Sequence, residues 1–144
     1  LAALRRGEEP PPESVARLHR PVPRLAEGRA AAEAGATAMI DVSDGLSSDL
    51  GHVCRRSGAG AVLEAAAIPL GAGASLDDAL AGGDDYELCF TAPDPDRVAA
   101  VFLGGGLVAP TRIGTVTPDG EIAVREGDGS VRPVPPAGWE HPVP

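Results

Sequence analysis

Ala38-Met39-Ile40-Asp41-Val42-Ser43-Asp44-Gly45-Leu46 runs from an apolar stretch directly into two carboxylates and a hydroxyl. Thr37 to Val42 has the length and composition of a short buried strand, and Gly45 supplies the freedom for a turn. Beyond the turn, Leu46, Leu50, Val53 and Cys54 fall on one face of an amphipathic helix. Asp41, Ser43 and Asp44 therefore stand at a strand's carboxyl end. In open α/β sheets this is the edge where ligands bind, and the helix that follows offers unpaired N–H groups to an anion.

Strands and helices alternate around this stretch. Arg5 to Glu13, with Pro10, Pro11 and Pro12, reads as a connector or a capped helix start, so residues 1–13 are set apart, as a linker or the end of a preceding domain, from a domain at 14–144. Glu13 to Leu18 suggests a turn or two of helix before Pro21 and Pro23, and Arg24 to Ala34 an alanine-rich helix ending at Gly35. Ala61 to Glu64 reads as an extended run, Ser75 to Ala81 as a short helix stopped by Gly82-Gly83, and Tyr86 to Thr91 as a strand. Asp94-Pro95 is a helix start, with Asp as N-cap and proline at the first helical position. Thr111 to Thr117, Glu121 to Arg125 and Ser130 to Val134, separated by glycine turns, predict a terminal strand meander. The fold class is α/β, a mixed sheet with flanking helices.

The chain has 144 residues, a formal net charge of −9 and no lysine, every basic residue being arginine. An acidic surface repels a phosphate backbone, which disfavours nucleic-acid binding, and a Walker-A loop is excluded for want of its lysine. Any phosphate handled here needs a divalent cation to bridge it to the carboxylates. Cys54 and Cys89 lack zinc-ligand spacing and read as buried thiols; His19, His52 and His141 read as structural or surface residues. With no signal peptide and no apolar run of about 18 residues, a cytoplasmic protein without a membrane segment is expected.

Two acidic clusters carry the chemistry. Asp41 and Asp44 flank Ser43 so that a sharp turn brings both carboxylates toward one point, a donor set that suits Mg²⁺ with phosphate and water completing its shell. The competing role for Ser43 or Asp44 is as N-cap of the helix that starts near Leu46. Gly82-Gly83-Asp84-Asp85-Tyr86-Glu87-Leu88 sets two acids between a double glycine and a strand: either a close-approach loop whose Asp84 or Asp85 accepts hydrogen bonds from a substrate, or a solvated turn. Glu87 alternates with Tyr86 and Leu88 and is expected to face solvent. Trp139, the single tryptophan, lies in a proline-rich tail and can plug the core or stack on a flat ligand ring.

Taken in order, these segments resemble the carboxyl-terminal domain of the thiamine-monophosphate kinase family. Leu18 to Arg24 is similar to a Leu-Arg-Pro-x-Pro-Arg stretch with one residue inserted. Ile40 through His52 resembles an Ile-Asp-x-Ser-Asp-Gly-Leu motif continuing into Ser-Asp-Leu-Gly-His, and Gly82 to Leu88 a Gly-Gly-Glu-Asp-Tyr-Glu-Leu motif. Arg112-Ile113-Gly114 and Gly138-Trp139-Glu140-His141 resemble the terminal strand and tail. The resemblance spans residues 14 to 142.

It implies a fold like the aminoimidazole ribonucleotide synthetase C-terminal domain and transfer of the ATP γ-phosphoryl group to thiamine monophosphate, giving thiamine diphosphate. By the same resemblance Asp41 and Asp44 bind Mg²⁺, Ser43 contacts ATP, and Asp84 and Trp139 contact the thiamine substrate. No protein nucleophile is implied, because phosphoryl transfer needs in-line positioning and charge neutralisation. Asp84 replaces the family's glutamate and is one methylene shorter, so the loop must move closer or a water must bridge. The family's amino-terminal domain supplies further metal ligands, much of the nucleotide site and a homodimer interface. The isolated chain is therefore expected to be inactive. Rival readings are another ATP-dependent enzyme of the same superfamily and a noncatalytic domain that binds a metal–nucleotide complex.

Overall fold

The computed structural model describes residue 7 and residues 9–135. Its helices start and stop where local chemistry dictates. α1 (Pro12–His19) opens on a proline, and α2 (Leu25–Ala34) closes on left-handed Gly35. α3 (Leu46–Ser57) ends likewise at Gly58. α4 (Leu76–Ala81) is fixed by a reciprocal capping box between Ser75 and Asp78. α5 (Pro95–Gly104) begins with the Asp94 carboxylate accepting the Arg97 N–H at 3.0 Å, as Asp94-Pro95 predicts.

The strands are β1 (Ala38–Val42), β2 (Gly60–Glu64), β3 (Glu87–Thr91), β4 (Gly114–Thr117), β5 (Ile122–Arg125) and β6 (Val131–Pro133). They form two sheets, an antiparallel β1–β3 pair and a four-stranded sheet in the order β4-β2-β5-β6. β2 runs parallel to β5 and antiparallel to β4. The mixed α/β class expected from the sequence is the class observed. The terminal meander is observed only in its β5–β6 antiparallel pair, because β2 inserts between β4 and β5. Residues 60–64 are the more apolar run, with Ala61 and Leu63 buried, so β2 takes the central place and leaves β4 at the edge.

α3 packs on β1 and on β2, which puts it between the two sheets. Its stripe of Leu46, Leu50 and Cys54 joins Val42, Leu63 and Val124 in one apolar cluster. A second cluster, Ala30, Ala31, Ala34, Val98 and Phe102, fills the α2–α5 contact, where Phe90 of β3 stacks on Phe102 with ring centroids 6.1 Å apart. Among the described residues no helix is long and apolar enough to cross a membrane.

β1 differs from the buried strand expected. Its residues alternate in exposure, Met39 is 37% exposed and Asp41 is exposed, because its sheet has only two strands. The rule for ligands at the carboxyl edge of a parallel sheet therefore does not apply to β1. A different geometric reason places its end beside the second acidic cluster.

Candidate functional site

Antiparallel pairing sets the carboxyl end of β1 against the amino end of β3, with Asp41 opposite Leu88 and Val42 opposite Glu87. The turn after β1 and the loop before β3 must then meet. They are joined by two backbone bonds, Asp84 N–H to Ser43 O at 2.8 Å and Tyr86 N–H to Val42 O at 2.8 Å. These bonds hold Asp84 (φ 65°) and Tyr86 (φ 52°) in the left-handed region, a conformation that L side chains resist. Gly83 fits only as glycine: a Cβ there would lie 2.5 Å from the Ser43 carbonyl oxygen. The Gly82–Tyr86 segment thus lays its backbone against the Ser43 turn, while Asp84, Asp85 and Tyr86 remain exposed.

The turn itself is built by Asp49, a residue outside both acidic clusters. Asp49 is 3% exposed, and its Oδ2 accepts the N–H groups of Ser43 (2.9 Å), Asp44 (3.0 Å) and Gly45 (3.2 Å). Helical side chains lean toward the N-terminus, so an acid in the first turn of α3 reaches back over residues 43–45. The signal in the sequence is a carboxylate on the apolar stripe, three residues after Leu46 and next to Leu50. Asp49 thus occupies the N–H groups of the turn itself, those of Ser43, Asp44 and Gly45, which precede the first residue of α3. The helix-cap alternative for Ser43 and Asp44 fails. Gly45 is the N-cap residue, at φ 129°, and no side chain caps it.

Ser43 and Asp44 are half-buried and Asp41 and Asp84 exposed. The Ser43 hydroxyl donates to Asp44 Oδ1 at a long 3.3 Å, and the Tyr86 hydroxyl to Asp84 Oδ1 at 3.1 Å. The Tyr86 phenol is pushed above its ordinary value, first by that hydrogen bond and the Asp84 charge and then, beyond a small burial effect, by Asp41 and Asp44. One phenol thus feels all three acids, so the turn and the loop form a single acidic surface. Among the described residues no cationic side chain pairs with Asp41, Asp44 or Asp84. Nor do three His, Cys, Asp or Glu side chains converge into a closed metal site. One or two hard oxygen donors facing solvent match the habit of Mg²⁺, which keeps waters and takes substrate phosphates as its remaining ligands. The donor chemistry fits the ion.

Glu87 keeps 43% of its side chain exposed, as its alternation predicts, and also has partners that alternation does not show. It is half-buried and clasped by Arg24, whose Nε and Nη2 donate to its two oxygens at 2.9 and 2.7 Å, with Arg17 joining. The guanidinium fork ties the start of α2 to the start of β3. His19 and His52 are exposed, His52 sharing a 3.0 Å hydrogen bond with Arg55. Cys54 is a buried free thiol and Cys89 a half-buried one. Trp139 and His141 lie outside the described residues. A groove of about 300 Å³ between β1 and α3, lined by Met39, Ile40, Val53 and Arg56 among others, contains none of the acids of the turn or the loop.

Comparison with known proteins gives a consistent picture. Residues 4–127 match the family model described as AIR synthase related protein, C-terminal domain. The thiamine-monophosphate kinase of Salmonella typhimurium is 43% identical over 124 residues, covering 78% of this chain and 38% of that protein. The crystal structure of thiamine-monophosphate kinase from Stenotrophomonas maltophilia K279a superposes with a TM-score of 0.66 at 42% identity, over 78% of this chain and 37% of the other. AaThiL complexed with AMPPCP and TMP superposes with a TM-score of 0.73 at 30% identity, over 97% of this chain and 45% of the other. The chain thus spans less than half the length of the relatives it matches.

Proposed function

Because this chain belongs to the AIR synthase related protein C-terminal domain family, we propose that it is the corresponding part of a kinase that transfers the ATP γ-phosphoryl group to thiamine monophosphate, giving thiamine diphosphate and ADP. The observation that carries the reading is the junction of the Asp41–Gly45 turn with the Gly82–Tyr86 loop, closed by the Asp84 N–H to Ser43 O bond. A relative solved with AMPPCP and TMP supports both ligands.

In this proposal Asp41 and Asp44 hold Mg²⁺, the Ser43 hydroxyl turns to ATP, and Asp84 and Trp139 meet the thiamine substrate. A magnesium ion, when bound, supplies neutralisation of phosphate charge. The chain's own part is to aim its carboxylates and hydroxyl from a rigid turn and to bring the acceptor-side loop alongside; it contributes no nucleophile. We assign residues 14–144 to the domain and 1–13 to a linker or the end of a preceding domain, the last two of these residues already lying in α1. A preceding domain would complete the site, form a homodimer interface and leave the isolated chain inactive, in a cytoplasmic enzyme.

The test joins this chain to an amino-terminal domain of the kind its longer relatives carry. Asp44→Asn should then lower kcat about a hundredfold while leaving the melting temperature unchanged, by analogy with the loss of one charge-stabilising group. Wild-type turnover with unaltered Mg²⁺ dependence would remove Asp44 from the mechanism. A panel of phosphate acceptors separates a thiamine-phosphate kinase from another enzyme of the superfamily.

A further inference from the structure

Asp49 is the one buried acid among the described residues, and the function proposed above does not use it. Three consecutive N–H groups at a strand-to-helix turn are an ordinary cradle for a phosphate oxygen. Here the cradle holds the protein's own anion: Asp49 Oδ2 lies 2.9, 3.0 and 3.2 Å from the nitrogens of Ser43, Asp44 and Gly45. We propose that Asp49 is a positioning residue that fills this amide cradle from within, so that the turn meets a phosphate through a cation at Asp41 and Asp44 and not through its backbone.

Three donors converging on one oxygen call for a full negative charge, since charge-assisted bonds are roughly twice as strong as neutral ones. Pinning the Asp44 N–H fixes the backbone from which the Asp44 carboxylate projects. With Asp49 in place an external phosphate finds these N–H groups taken and meets a like charge at the cradle itself. The turn therefore repels bare anions and accepts cations. The part of the inference that concerns the cation rests on the function proposed above; the occupied cradle does not.

The experiment uses the ¹⁵N-labelled 144-residue chain. Inorganic phosphate added without divalent metal should leave the Ser43, Asp44 and Gly45 amide resonances unmoved; saturable shifts in the wild-type chain overturn the proposal. In Asp49→Ala the same titration should move all three, and silence in a folded Asp49→Ala chain overturns it as well. Should that variant not fold, Asp49→Asn keeps the shape and loses the charge. Its three amides should exchange about fivefold faster than wild type, the difference between charged and neutral hydrogen bonds, and unchanged exchange counts against the proposal. Mn²⁺ should broaden the Asp41 and Asp44 signals, with affinity falling about tenfold in Asp49→Asn, as for outer-shell partners of metal ligands. Recovery of wild-type affinity in Asp49→Glu would reduce Asp49 to a charge and end its positioning role. If Mn²⁺ leaves Asp41 and Asp44 untouched while phosphate alone also leaves the cradle silent, the metal reading fails and the occupied cradle stands.

Discussion

Gly83 admits no side chain, and the reason lies 40 residues away in sequence. Its missing Cβ is what allows the loop to touch the Ser43 carbonyl oxygen, which a methyl group would approach to 2.5 Å. Gly83→Ala should destabilise the chain by roughly 1–3 kcal/mol, the cost of overpacking, read as a lower urea midpoint at constant m. A midpoint equal to wild type would mean that the loop can swing off the turn. Cys89 gives a chemical prediction at the same scale. Burial, and after it Cys54 and Asp49, push its thiol up to about 11, so almost no thiolate exists at neutral pH. Alkylation of Cys89 at pH 8 should be slow in the folded chain and fast in urea; rapid labelling of the folded chain would contradict the raised thiol value. The Gly-Gly step and the two acids are visible in the sequence, but their partner Ser43 is not. Neither is Asp49, because a carboxylate on an apolar stripe does not state which amides it serves.

At the scale of elements, the sequence is most readable where a local device sets the boundary. Proline at the start of α5, the Ser75–Asp78 capping box and the left-handed glycines each act within four residues, so no tertiary information is needed. The two turns of the second sheet show the same locality and yield a pH prediction. Asp119 is held below the ordinary carboxylate range first by the Thr117 hydroxyl and then by the Glu121 N–H, and Asp128 by the Ser130 hydroxyl and then its N–H. A folded-state value below the unfolded one gives stability that is present above the unfolded pKa and lost as pH falls through the folded pKa. The amide resonances of Glu121 and Ser130 should therefore titrate below the ordinary carboxylate range, and midpoints inside that range would show the turns to be loose. Glu87 marks the limit of locality. Alternation along β3 says that it points away from its neighbours, whereas Arg24, 63 residues away, decides that it is paired.

At the scale of the whole chain, aromatic residues are only 3% of the sequence, and among the described residues the apolar interior divides into two clusters, one mainly aliphatic and the other of alanines and Val98 around Phe102. Val124, with no exposure, belongs to one and Val98 to the other. Val124→Ala and Val98→Ala should each cost roughly 1–3 kcal/mol, and the double variant should equal their sum within about 0.5 kcal/mol, because the sites share no partners. A larger departure by denaturant titration would mean that α3 and the β1–β3 pair transmit strain between the clusters. The elements, the acidic turn, the double-glycine loop and the family resemblance are legible in the sequence. All of these are written in short-range spacing, where capping, periodicity and turn chemistry operate. The packed fold is needed to see that β1 pairs antiparallel with β3 and that β2 separates β4 from β5. It also shows that the Asp41–Gly45 turn is organised by Asp49 and joined to Asp84. Strand order and side-chain-to-backbone contacts are settled by which buried surfaces and amide donors find partners across long sequence separations, and no local pattern encodes that choice.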